Sequence, residues 1–229
     1  MLIPQEHVAR EVGKTAIIDS SYMDVDITKR TAEEHKAIKD GTYVPTYGGT
    51  DSYLSESQKD DSATFSKKRN QNHYGYKYHA LVDSGSKLIF NFTLTPGHVH
   101  DSQKTLDLCK SSDFKFLELY GDSGYAGEKY EIALKELGID FHTTLRAYRG
   151  HPLTDEKKAI NKATSSIRSR IEHVFHYLDN VLMFKLRAKT MERHNGYCQL
   201  FTMVYNALQM KQILSGNYTV PNYLKPVAM

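Results

Sequence analysis

The chain has 229 residues, 40% hydrophobic and 25% charged, with a formal net charge of +3, an ordinary globular composition that excludes disordered and fibrous classes. No apolar run approaches the ~18 residues that span a bilayer, and the opening MLIPQEHVAREVGK lacks the apolar core of a signal peptide. Two cysteines, Cys109 and Cys198, can build neither a disulfide framework nor a four-thiolate zinc site, so a reducing cytoplasmic setting and one large layered domain are expected.

In chain order, Thr15 to Ile18 (TAII) predicts a short buried strand with Asp19 at its exit. Residues 24–72 are polar and rich in Gly, Ser, Thr, Asp and Lys, which predicts an irregular insertion. Tyr74, Tyr76 and Tyr78 then alternate with smaller or polar residues and run into Ala80, Leu81 and Val82, a strand by period two. A turn at Asp83 to Ser86 leads to its hairpin partner, Lys87 to Thr95. Asp101 to Cys109 reads as a helix with Asp101 or Ser102 as N-cap. Next come a strand over Phe116 to Tyr120, a helix over 128–137 stopped by Gly138, and a strand over Ile139 to Leu145.

After a basic loop, Thr154 caps a long helix. Its apolar positions Ile160, Ala163, Ile167, Ile171, Val174, Phe175, Leu178, Val181 and Leu182 recur every three or four residues, predicting one buried stripe. A last helix spans about 191–214, and the tail beyond Gly216 is expected to fray. Five strands with interspersed helices predict an α/β fold with a mixed sheet: the hairpin gives antiparallel pairs, the strand–helix–strand units parallel ones.

The small net charge hides a partition. Residues 59–79 carry five Lys/Arg against two acids, residues 142–170 seven against two, and residues 185–194 four against one. Clustered basic residues are the footprint of a polyanion partner. Lys67, Lys68, Arg69, Arg146 and Arg149 are the expected contacts to nucleic-acid backbone, and Lys77, on a strand, a further phosphate contact. His98, His100 and Asp101 make too thin a pattern for zinc.

Three acids fall on separate elements. Asp19 and Asp122 (in GDSGY) follow apolar strands, and crevices beyond strand ends are where open α/β sheets hold ligands. Glu172 lies on the long helix about 100° from Ile171 and borders its stripe. If that helix crosses the strand ends, three carboxylates converge as hard oxygen ligands suited to Mg²⁺. Taken singly, each acid has a plainer explanation: a strand-end cap, a turn, and an ion pair of Glu172 with Arg168 or His176.

The wording around these acids resembles the DDE transposases of bacterial insertion sequences: IIDSSYMDV, HYGYKYHALVDSGSKLI, TPGHVHDSQ, LYGDSGYAG and RSRIEHVFHYL, in that order over roughly residues 15–214. The last segment carries an Arg-x-x-x-Glu helix signature as Arg168 and Glu172. The resemblance implies a ribonuclease H-like core and a catalytic, metal-binding triad of Asp19, Asp122 and Glu172 using two Mg²⁺ ions, with Mn²⁺ able to substitute. It also implies double-stranded DNA as partner, with element ends cleaved by water and joined to target DNA, and leaves a homodimer open. Arg168 would contact DNA phosphate or orient Glu172, and Arg170 adds to the DNA-binding set. Asp179 stands where some relatives carry a basic residue, for which Lys185 or Arg187 would substitute. The family's helical DNA-binding region has no counterpart in the 18 residues before Asp19. The expectation is therefore a catalytic core alone, with a non-catalytic DNA-binding remnant or a stand-alone nuclease of the same fold as alternatives.

Overall fold

The structure, a computed structural model, describes residues 13–25, 29, 31–43, 59–60, 62–68, 70–148, 150, 152–183 and 189–216. Strand β1 (Thr15–Asp24) is ten residues long, not four, so Asp19 sits in mid-strand. The extra length comes from its antiparallel neighbour. β1 pairs with β3 (Gln71–Asp83) from Ala16↔Asp83 to Asp24↔Gly75, and those backbone bonds carry the polar half of β1 forward. On its other edge β1 pairs in parallel with β5 (Glu118–Gly121) only from Thr15 to Ile17. On that edge Asp19 does stand beyond the last pairing, level with the loop that leaves β5.

The region expected to be irregular contains two regular elements. Helix α1 (Ala32–Lys39) starts with a capping box, in which Thr31 accepts from the Glu34 N–H and Glu34 accepts from the Thr31 N–H. Strand β2 (Thr64–Lys68) forms a hairpin with the start of β3 through Asn70, whose φ is 66°. β4 (Ile89–Pro96) pairs with β3 from Tyr76↔Pro96 to Val82↔Ile89. The turn between them is held by Asp83, which accepts from both the backbone N–H and the hydroxyl of Ser86. A 3₁₀ turn (Asp101–Lys104) enters helix α2 (Thr105–Lys110), and its N-cap is His100, not Asp101 or Ser102: the imidazole Nδ1 accepts from the Ser102 N–H.

Helix α3 (Glu128–Glu136) returns the chain to β6 (Asp140–Thr143), parallel to β5. The sheet order is β2-β3-β1-β5-β6, with β4 also on β3: six strands among the described residues where five were expected, the sixth being β2. The mixed pairing is as expected. Helix α4 (Asp155–His176), capped by Thr154, continues through a wider π turn (Tyr177–Val181), and α5 (Met191–Leu214) closes the described fold. Residues 217–229, including the tail expected to fray, lie outside the described residues.

The pleat of β1 sends neighbouring side chains to opposite cores. Ile17 and Met23 join Tyr74, Tyr76, Tyr78, Ile171, Val174 and Leu178 beneath α4 and α5. Ala16 and Ile18 join Leu81, Leu108, Leu119, Tyr125 and Leu134 beneath α2 and α3. The expected stripe is buried only between Ile171 and Leu178: Ile160 near its start is 53% exposed, and Val181, in the π turn, is 55% exposed. No helix among the described residues is long and apolar enough to cross a membrane.

Candidate active site

Asp19 and Asp122 meet at one rim of the sheet. Asp19 is carried by β1, and Asp122 follows Gly121 at the end of the parallel neighbour β5. The Asp122 loop is tight: Asp122 Oδ1 accepts from the Gly124 N–H at 2.7 Å, and its carbonyl from the Tyr125 N–H at 3.1 Å. A Cβ on Gly124 would lie 2.9 Å from Asp122 Oδ1, so glycine is required for the carboxylate to stay where it is. Gly121 has a similar task, since a Cβ there would press on Tyr125 and Ile18.

Burial raises the Asp19 pKa to about 6. The backbone N–H of Ser20, which donates to Asp19 Oδ1 at 2.8 Å, and the positive charges of Arg168 and Lys68 pull it back down, whereas the negative charge of Asp122 adds to the rise. Desolvation, more than the like charge, is what keeps the Asp19 carboxyl above the ordinary carboxylate range. One cation present is Arg168, whose Nη2 donates to Asp19 Oδ2 at 3.2 Å, while its Nε is buried with no hydrogen-bond partner among the described residues. Tyr125 lies wholly buried beside the two aspartates. Burial and the charges of Asp19, Asp101 and Asp122 push its hydroxyl pKa well above the ordinary value.

Glu172 is one turn beyond Arg168 on α4, but its side chain is exposed instead of bordering the buried stripe. It makes no ion pair with Arg168, which is taken by Asp19; its resolved electrostatic effect is on His173. Among the described residues, no three His, Cys, Asp or Glu side chains converge as a metal cage. The structure therefore brings two of the three acids together and leaves the third on the helix above them. Two adjacent, partly desolvated carboxylates nevertheless suit a divalent cation in donor type and in charge: they are hard oxygen ligands that share one arginine, Arg168 on Asp19.

The basic residues divide. Lys68, at the end of β2, acts on Asp19 electrostatically and places its Nζ 5.5 Å from the Tyr22 ring centre, and Lys67 beside it is exposed. Tyr22 in turn stacks on His73 at 4.3 Å. Arg146 is exposed, and its Nε donates to Ser123 in the Asp122 loop at 2.8 Å.

Two expectations are corrected. Lys77 is not offered to a phosphate: it is 6% exposed, paired with Asp101 at 2.9 Å and donating to the Val99 carbonyl at 2.8 Å, because its position on β3 points into the sheet face under Tyr22. Arg170 donates to the carbonyls of Ser84 and Gly85, so it clamps the β3–β4 turn instead of facing DNA. Arg69, Arg149, Lys185 and Arg187 lie outside the described residues. Sequence reasoning missed Arg168 as partner of Asp19 and Tyr125 as the residue beneath the aspartates. The latter had a signal, the tyrosine directly after the Asp122-Ser-Gly turn.

A mixed sheet ordered β4-β3-β1-β5-β6 with aspartates on β1 and after β5 defines the ribonuclease H-like class of α/β cores. The profile of the family described as "Transposase DDE domain" matches residues 23–207, and the chain belongs to that family as a transposase catalytic core. In fold it is similar to the piggyBac transposase in a synaptic complex with hairpin DNA, with a TM-score of 0.53, 10% identity, 93% of this chain covered and 50% of that one. The chain thus spans about half the length of that protein. A weaker likeness is to the catalytic core domain of BIV integrase, with a TM-score of 0.26, 12% identity, and coverage of 52% of this chain and 81% of that one.

Proposed function

We propose that this chain cleaves phosphodiester bonds in double-stranded DNA and joins the resulting 3′-hydroxyl to a target strand, with Asp19, Asp122 and Glu172 as ligands of a divalent cation. The observation that carries the reading is the pair Asp19 and Asp122 at one sheet rim, close enough that the charge of one raises the pKa of the other. The cation, Mg²⁺ by its preference for carboxylate oxygen with Mn²⁺ as substitute, would supply charge neutralisation of the phosphodiester and activation of the attacking oxygen. The protein's part is to hold its ligands. Gly124 permits the Asp122 turn, β1 and its pairing fix Asp19, and Arg168 keeps the Asp19 carboxylate oriented. Lys67, Lys68 and Arg146 border the rim as contacts for DNA backbone, a sequence-independent role. Two metal ions are part of this proposal, since in-line displacement gains from a cation on both the entering and leaving oxygens.

One observation favours a second reading, a DNA-binding remnant: Glu172 is exposed and is not gathered with the aspartates. Plasmid nicking in Mg²⁺ or Mn²⁺, followed by strand transfer from pre-cut oligonucleotide ends, separates the readings. The catalytic reading expects metal-dependent cleavage that is abolished by Asp19→Ala, Asp122→Ala and Glu172→Ala alike. DNA retention without cleavage would support the remnant, and cleavage without joining a nuclease. Cleavage that survives Glu172→Ala would remove that residue from the site.

A further inference from the structure

One lysine of the β3–β4 turn is held in a setting that lysine ordinarily avoids. Lys87 has a backbone φ of 61°, the left-handed region that favours glycine and asparagine. Its N–H donates to the Asp83 carbonyl at 2.9 Å and its carbonyl accepts from the Tyr205 hydroxyl at 3.1 Å, so the turn and α5 fix that conformation from both ends. The side chain is half-buried, and among the described residues its ammonium has no hydrogen bond or ion pair.

The charges around this ammonium share its sign. Arg170 of α4 is tied to the Ser84 and Gly85 carbonyls, and burial together with the Arg170 charge lowers the Lys87 pKa. The Lys87 charge is in turn the largest influence lowering the pKa of His173; Arg170 and His176 act the same way and Glu172 opposes them. The acid of the turn, Asp83, faces inward: it is wholly buried and accepts from the Gly13 N–H and from the N–H and hydroxyl of Ser86. Cations gathered in this way repel one another, and an anion bound among them relieves the repulsion. A left-handed conformation at a residue other than glycine persists where the surroundings impose it, and such positions cluster at binding sites.

We propose that Lys87, with His173 and the fixed charge of Arg170, forms a phosphate-binding subsite that takes a backbone phosphate of bound double-stranded DNA. The source of the phosphate rests on the proposed reading of DNA as partner; the subsite itself rests on the turn. Asp19 pairs with Ala80 on β3, and the turn begins three residues further on at Asp83, roughly 10 Å along the strand. That length equals about three steps of the 3.4 Å rise along one DNA strand. Helix α4 spans both places, with Arg168 on Asp19 and Arg170 on the turn. The subsite therefore grips the duplex a few nucleotides from the aspartates, where an ammonium on phosphate positions DNA and reads no sequence.

The test is fluorescence anisotropy of a labelled duplex with the full chain over a salt series, for the wild type, Lys87→Asn and Lys87→Arg. Asparagine adopts the left-handed conformation more readily than lysine, so Lys87→Asn should melt no lower than the wild type. It should bind duplexes of any sequence about three- to tenfold more weakly, with a log–log salt slope smaller by about one. Lys87→Arg keeps the charge and should stay within about twofold of the wild type. Wild-type affinity and slope in Lys87→Asn, or an equal loss in Lys87→Arg, would overturn the subsite. A wild type that binds no duplex contradicts the proposed function instead, and acetylation of the Lys87 amine with and without inorganic phosphate then decides the subsite. Protection by phosphate supports it, with a free phosphate as the source, and reactivity that phosphate leaves unchanged overturns it. If Lys87→Asn melts early, the same footprint on the wild type with duplex present replaces it: protection of Lys87 is expected, and its absence would overturn the inference.

Discussion

At the scale of single residues, the aspartate pair is governed by the glycine two positions past Asp122. In Gly124→Ala the new methyl would collide with the end of a side chain rather than with backbone, so the fold can absorb it by moving the Asp122 carboxylate. DNA cleavage should fall at least tenfold while the melting temperature changes by a few degrees. Full activity in that variant would show that the carboxylate position does not matter. A second residue sets acid stability. His79 is wholly buried, its Nε2 bonded to Thr95 at 2.8 Å, and burial lowers its pKa from 6.5 to about 4. The unfolded chain therefore binds a proton that the folded one refuses. Stability from this group is complete above pH 6.5 and is lost as the pH falls towards 4, by about 3 kcal/mol at most. Urea midpoints measured between pH 7 and 4 should fall less steeply in His79→Asn than in the wild type; parallel curves would refute the assignment.

At the scale of elements, β3 is the spine, pairing with β1, β2 and β4. All three neighbours crowd Gly75. It pairs with Asp24 and Thr64, its carbonyl accepts from the Gly97 N–H, and a Cβ there would stand 2.2 Å from the Met23 carbonyl oxygen. That atom is backbone and cannot step aside. Gly75→Ala should therefore cost more than 3 kcal/mol by denaturant titration, in the range where backbone strain and lost pairing act together. A cost under 1 kcal/mol would mean that the β1–β3 junction is looser than described.

The tyrosine alternation of β3 was legible in the sequence because a period of two is a direct imprint of the pleat. The length of β1 was not, since Ser20, Ser21 and Asp24 are held in a strand by a partner some sixty residues away. Strand β2 was hidden for a different reason: its partner is the adjoining start of β3, but Thr64, Ser66, Lys67 and Lys68 give no apolar alternation to mark it. Helix α1, by contrast, had a readable capping box in Thr31 and Glu34, overlooked inside a polar stretch.

At the scale of the whole molecule, the order of elements and the family follow from motifs strung along the chain, and the sheet makes neighbours of Asp19 and Asp122. What local pattern could not reveal is how each charge is spent. Lys77 and Arg170 read as free cations in one dimension and prove to be ties within the fold. Arg168 reads as a neighbour of Glu172 and reaches across to β1. Long-range pairing of charges depends on packing angles that periodicity does not carry.

The most direct check on the metal-site claim is Mn²⁺ binding to the full chain, followed by electron paramagnetic resonance with and without Asp122→Asn. The account predicts saturable binding by the wild type, weakened at least tenfold in the variant while its circular dichroism spectrum is unchanged. Equal affinity in the two proteins, or no binding by the wild type, would contradict it.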